Sequence, residues 1–92
     1  MEKKMTFSEF DEVMFDARKE GKALAGVIVY KASNWKKDYN LDARSYVVSN
    51  QCNYYDVDKI SQALWGTSVD GSDKNVRLDY YDWEVDYCYI LD

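Results

Sequence analysis

Val69-Asp-Gly-Ser-Asp-Lys-Asn-Val-Arg-Leu-Asp-Tyr-Tyr-Asp-Trp-Glu-Val-Asp-Tyr-Cys-Tyr-Ile-Leu91 is the stretch on which the fold turns. It opens with turn chemistry, Asp70-Gly71 followed by Ser72-Asp73. Two alternating runs come next. Val76, Leu78 and Tyr80 alternate with Arg77 and Asp79, and then Trp83, Val85, Tyr87, Tyr89 and Leu91 alternate with Glu84, Asp86 and Cys88. Successive strand side chains point to opposite faces. The pattern predicts a β-hairpin, Val76–Tyr80 against Trp83–Leu91, with an aromatic inner face and a carboxylate-bearing outer face. On that outer face Asp79 and Asp86 would lie near each other, with Arg77 among them.

Working back toward the start, the chain supplies what such a hairpin would pack against. A first helix is predicted over residues 6–20. Thr6 and Glu9 have capping-box spacing, and Met5 and Phe10 are placed for a hydrophobic staple. Phe7, Phe10, Val13, Met14 and Ala17 make one apolar stripe, and Gly21 suits the left-handed position that ends a helix. Ala23–Tyr30 is a continuous apolar run rich in β-branched residues, which predicts a central strand. Lys31–Ala43 reads as a loop, Arg44–Ser49 as a second strand and Asn50–Tyr55 as a polar and aromatic connection. A second helix is predicted over Asp58–Trp65, capped by Asp56 or Asp58 and ended by Gly66, with Ile60, Ala63 and Leu64 as its stripe. The order is helix-strand-strand-helix-strand-strand. The expectation is one α+β domain spanning residues 1–92, with an antiparallel sheet of about four strands and both helices on one face.

Composition limits the chemistry. The 92 residues suit one domain with one core. Nine tyrosines and three tryptophans need surfaces to pack on, which argues against disorder. No apolar run approaches the ~20 residues that span a bilayer. Met1-Glu-Lys-Lys-Met5 has no apolar segment behind it, so a cytoplasmic chain is expected. Cys52 and Cys88 are expected as ordinary thiols, and without histidine they cannot complete a zinc site by themselves. The absence of histidine also removes the usual nucleophilic triads. The four glycines are too scattered for a phosphate-cradling loop. Asp70-Gly71-Ser72-Asp73 holds only fragments of a calcium-loop pattern. Paired-carboxylate catalysis needs a cleft that a hairpin face does not offer. Neither a catalytic residue, nor a metal site, nor a cofactor is expected.

Charge is the sharper signal. Residues 1–50 carry eight acids and nine bases, whereas residues 51–92 carry nine acids and three bases. The acids Asp70, Asp73, Asp79, Asp82, Glu84, Asp86 and Asp92 fall in and around the closing stretch. They read either as a solvated face that aids solubility or as an anionic surface for a basic partner. Such a surface can compete for a nucleic-acid channel, because duplex DNA itself carries one charge per ~1.7 Å. In the loop, Trp35 and Tyr39 beside Lys36 and Lys37 have the mixture used for base stacking and phosphate contact, diluted by Asp38 and Asp42. Trp35 is also a candidate anchor for a protein contact.

Three segments carry a resemblance to a known group: Arg44-Ser-Tyr-Val-Val-Ser-Asn50, Asp70-Gly-Ser-Asp-Lys-Asn-Val-Arg-Leu-Asp79 and Trp83-Glu-Val-Asp-Tyr-Cys-Tyr89. In these the chain resembles small acidic proteins carried by phages, plasmids and conjugative elements of Gram-positive gut bacteria. The group often has a glycine-rich stretch where this chain has Asp56–Trp65, and more residues between the closing strands. The resemblance implies a setting, not an activity. Small cofactor-free proteins of mobile elements are often inhibitors of host defence, anti-CRISPR proteins among them. The expected function is therefore a non-enzymatic inhibitor in the bacterial cytoplasm. It would bind a basic nucleic-acid-binding protein such as a CRISPR effector nuclease through Asp70, Asp73, Asp79, Asp82, Glu84, Asp86 and Trp35. The alternatives are a nucleic-acid-binding accessory protein and a small self-associating structural domain. A monomer or weak dimer is expected, with no membrane contact.

Overall fold

A computed structural model of the chain describes residues 3–52 and 56–91. Asp92 of the acid set and residues 53–55 of the predicted connection lie outside the described residues. Among the described residues the architecture is α+β, with two α-helices and two antiparallel three-stranded sheets. In chain order the elements are α1 (Phe7–Lys19), β1 (Ala25–Ala32), a short 3-10 helix (Asn34–Lys36), β2 (Tyr39–Leu41), β3 (Ser45–Ser49), α2 (Val57–Ala63), β4 (Trp65–Ser68), β5 (Val76–Arg77) and β6 (Trp83–Ile90). The sheet orders are β3-β1-β6 and β2-β4-β5. The chain forms two compact units. One takes Met1–Val29, Ser45–Tyr55 and Val85–Asp92, and the other takes Tyr30–Arg44 and Asp56–Glu84.

In the first unit α1 starts as predicted. The Thr6 hydroxyl accepts from the Glu9 amide at 3.1 Å, and the Glu9 carboxylate accepts from the Thr6 amide at 3.0 Å. These bonds hold the Glu9 carboxyl below its ordinary range. The helix ends in a Schellman motif: Gly21 has φ 77°, its amide donates to the Arg18 carbonyl at 3.0 Å, and the Lys22 amide donates to the Ala17 carbonyl at 2.8 Å. Phe10, Met14 and Ala17 are buried, while Phe7 is half-buried and Val13 remains exposed. The predicted stripe is therefore narrower than its spacing suggested. Phe10 lies over Gly26 of β1, where an added Cβ would run into the ring. Glycine allows this close approach, and any larger residue would have to displace the buried Phe10 ring. β1 is central and buried from Gly26 to Tyr30, and it pairs antiparallel with β3 through Gly26↔Val48 and Ile28↔Tyr46. Asn50 locks the unit from within. Its Oδ1 accepts from the Leu24 amide at 2.9 Å, and its Nδ2 donates to the carbonyls of Met14 at 3.1 Å and Lys22 at 3.0 Å.

The second unit departs further from expectation. Asp56 caps α2 by accepting from the Asp58 and Lys59 amides. The helix stops at Ala63, because Leu64 is already extended at φ −101°, ψ 115°. Ile60 and Leu64 are buried, but Ala63 is exposed. Trp65, predicted to end the helix, instead starts β4. Gly66 lies in the sheet, where an added Cβ would be 3.2 Å from Leu78 Cδ1. The predicted Lys31–Ala43 loop contains the 3-10 helix and β2, which pairs with β4.

The predicted closing hairpin does not form. Of Val76–Tyr80 only Val76–Arg77 is a strand; it pairs with β4, while β6 lies beside β1. Alternation reports which face a side chain takes and is silent about which strand lies alongside. The single four-stranded sheet is thus replaced by two sheets, and α1 and α2 belong to different units. Tyr30 and Trp83 make the aromatic centre of the second unit, edge-to-face at 5.2 Å, with Leu41, Ile60, Leu64 and Leu78 also buried.

Candidate functional site

The charge asymmetry between the sequence halves does not become an asymmetry between the units. The second unit draws Lys31, Lys36, Lys37 and Arg44 from the first half, so its nine acids meet seven bases; the first unit has eight acids and five bases. Local arrangement therefore matters more than total charge. Of the predicted site residues, Trp35, Asp70, Asp73, Asp79, Asp82 and Glu84 belong to the second unit and Asp86, exposed on β6, to the first.

Four of them gather at the entrance to β6. Residues 79–82 form a β-turn in which the Asp82 amide donates to the Asp79 carbonyl at 2.8 Å. The Asp82 carboxylate fastens that turn twice. Oδ2 accepts from the Asp79 amide at 3.2 Å, and Oδ1 accepts from the Trp35 indole N–H at 3.3 Å. Buried Ser33 ties the same loop to the turn, with its hydroxyl donating to the Tyr81 carbonyl and its amide to the Asp82 carbonyl, both at 2.9 Å. Trp35 is 67% exposed yet held in place. Glu84 follows, with Lys31 Nζ 3.7 Å from its carboxylate, and Asp79 is exposed.

The two central turn residues are Tyr80 and Tyr81. Their ring centroids are 3.9 Å apart with planes tilted by 34°, and they are 49% and 62% exposed. A hydrogen bond with Tyr81 raises the Tyr80 pKa above its ordinary value. The alternation puts Tyr80 on the inner, core-forming face, but the structure leaves it exposed at the turn. The signal was in the sequence. Apolar positions are even-numbered through Leu78 and Tyr80 but odd-numbered from Tyr81 and Trp83, and that phase break, bracketed by Asp79 and Asp82, marks the turn.

Asp70 and Asp73 serve a second feature. An open hollow of about 260 Å³ is lined by Asp38, Tyr39, Ser68, Asp70, Ser72 and Asp73. Asp70 accepts from the hydroxyls of Ser72 at 2.7 Å and Ser68 at 2.8 Å and from the Ser72 amide at 3.0 Å. Those bonds, the Ser72 hydroxyl first, lower its pKa to about 2. Asp73 accepts from the Tyr39 hydroxyl at 2.6 Å, which with burial and the nearby acids pushes that phenol up to about 12. Lys36 Nζ lies 4.5 Å from the Tyr39 ring centroid. Tyr39, a candidate for base stacking, is thus engaged by Asp73 through its hydroxyl and by Lys36 across its ring.

Cys52 is an exposed free thiol and Cys88 a buried one, which burial pushes up to about 11. Cys88 was placed with Glu84 and Asp86 on the outer face, but it is buried in the first unit, where its backbone bridges Met5. Among the described residues, no group of three acidic or cysteine side chains could hold a metal ion, and no helix is long and apolar enough to cross a membrane. No family model, curated protein or solved structure matches the chain.

Proposed function

We propose that the chain is a non-enzymatic inhibitor that binds a basic, nucleic-acid-handling protein of a bacterial host, a CRISPR effector nuclease being the fitting target. The observation that carries this reading is the turn at residues 79–82, which sets two exposed tyrosines and a tethered, exposed tryptophan among Asp79, Asp82 and Glu84. Tryptophan and tyrosine are the side chains on which interfaces concentrate their energy. Carboxylates around them favour lysine- and arginine-bearing partners and speed encounter with them. The mobile-element resemblance supplies the setting, and the cytoplasm of the host is the compartment that goes with it.

Three elements of the reading have separate tests. Wild-type protein and a folded Asp79→Lys, Glu84→Lys variant are assayed for inhibition of DNA cleavage by a purified guide-loaded effector nuclease. The reversal is expected to slow association tenfold or more at low ionic strength, with the gap closing as salt rises. Unchanged inhibition and association would sink the acidic-surface reading. Tight, salt-sensitive binding of the wild type to DNA or RNA alone would favour an accessory nucleic-acid-binding role instead. Sedimentation at two protein concentrations checks the expected monomer or weak dimer.

A further inference from the structure

We propose that the Tyr80–Tyr81 pair, with Asp79 beside it and Trp35 fastened to the same turn, is a seat for an arginine side chain of the partner protein. This deepens the inhibitor reading and rests on it for the partner's class. Each ring covers one face of the other at 3.9 Å, yet both remain half or more exposed, so ring surface still faces water. A tyrosine face is electron-rich and attracts a cation. A planar guanidinium can lie flat on such a face while its edge N–H groups fork onto a carboxylate, which the compact ammonium of lysine cannot do.

The surroundings fit that ligand. Asp79 and Asp82 flank the pair in sequence, and Asp82 is occupied by Trp35 and the Asp79 amide, which leaves Asp79 as the exposed carboxylate of the turn. Four of the chain's own lysines are engaged elsewhere. Lys4, Lys19 and Lys36 lie over Tyr87, Phe15 and Tyr39, and Lys31 is at Glu84. Among the described residues no cation lies over Tyr80 or Tyr81. The turn is also built in advance, through the Asp82 and Ser33 hydrogen bonds, so little ordering is left for binding to impose.

The probes are a peptide of arginines and one of the same number of lysines, titrated into the whole protein. Binding is read from the Trp35 indole and the amide resonances of residues 79–82. The arginine peptide is expected to bind about two- to five-fold more tightly, because only the guanidinium can stack on a ring and fork onto Asp79 at once, a gain of the size of one exposed contact. Tyr80→Leu with Tyr81→Leu should abolish that preference while leaving a salt-dependent residue of binding; Tyr80→Phe with Tyr81→Phe should retain it. Equal binding of the two peptides by the wild type overturns the proposal, and that comparison needs no variant to fold. Nuclease inhibition that survives the leucine pair but is lost in Asp79→Lys, Glu84→Lys overturns this seat and leaves the inhibitor reading standing. An intact arginine preference without nuclease inhibition does the reverse.

Discussion

Asp82 holds an indole and a backbone amide with one carboxylate, and Asp70 gathers two hydroxyls and an amide onto one oxygen. Acids that look alike in a composition count therefore differ in what they do. Asp70 gives a pH signature with a definite sign. Its folded pKa of about 2 lies below the ordinary 3.8, so its contribution to stability is present above about pH 4 and is lost as pH falls toward 2. Asp70→Asn keeps the accepting oxygen and cannot titrate. Urea midpoints measured between pH 4 and 2 should fall less steeply for the variant than for the wild type. Identical slopes would show that the Ser68 and Ser72 hydrogen bonds do not hold that carboxylate in solution. Sequence could place Asp70 in a turn from Asp70-Gly71, but it could not say which hydroxyls would reach it.

At the scale of elements, α1 and β1 were legible because each carries its own reason in consecutive residues. Thr6, Glu9 and Gly21 mark the helix ends, and Val27–Tyr30 is apolar on both faces as a central strand requires. β2 and β4 were not legible. They are three and four residues long, and Gly66, Thr67 and Ser68 have no strand pattern of their own; backbone pairing to Leu41, Asn40 and Tyr39 makes them a strand. The closing stretch misled for the opposite reason, since its alternation was real and its partner was elsewhere. The contact of α1 with β1 can be tested directly. Gly26→Ala pushes a methyl into the Phe10 ring and should destabilise by roughly 1–3 kcal/mol in urea denaturation. Adding Phe10→Leu removes the clashing ring atoms, so the double variant should lose less than the two single losses added together. Simple additivity would mean that the helix does not lie on Gly26 as described.

For the whole molecule, the decisive fact is that neither unit is a continuous stretch of chain. The first needs three separate segments and the second two. That is why a charge count by halves was a poor guide to surface, and why the candidate site combines Trp35 with residues 79–84. A polypeptide ended at residue 55 retains α1, β1 and β3 but lacks β6, the neighbour of β1, and the Cys88 backbone that bridges Met5. It is expected to give narrow amide dispersion in an NMR spectrum. Wide, native-like dispersion from that fragment would show that the first unit does not need its last strand.

The late position of β6 in the chain has a consequence for how the protein is made. β1 leaves the ribosome long before β6, since Ala25 precedes Trp83 by 58 positions. At about 5–20 residues per second that interval is roughly 3–12 s. Through all of it the apolar run Val27–Tyr30 has an open flank, a ready template for pairing with another nascent chain. Synthesis in a cell depleted of holding chaperones should therefore lower the soluble yield more than any change at the exposed turn of residues 79–82.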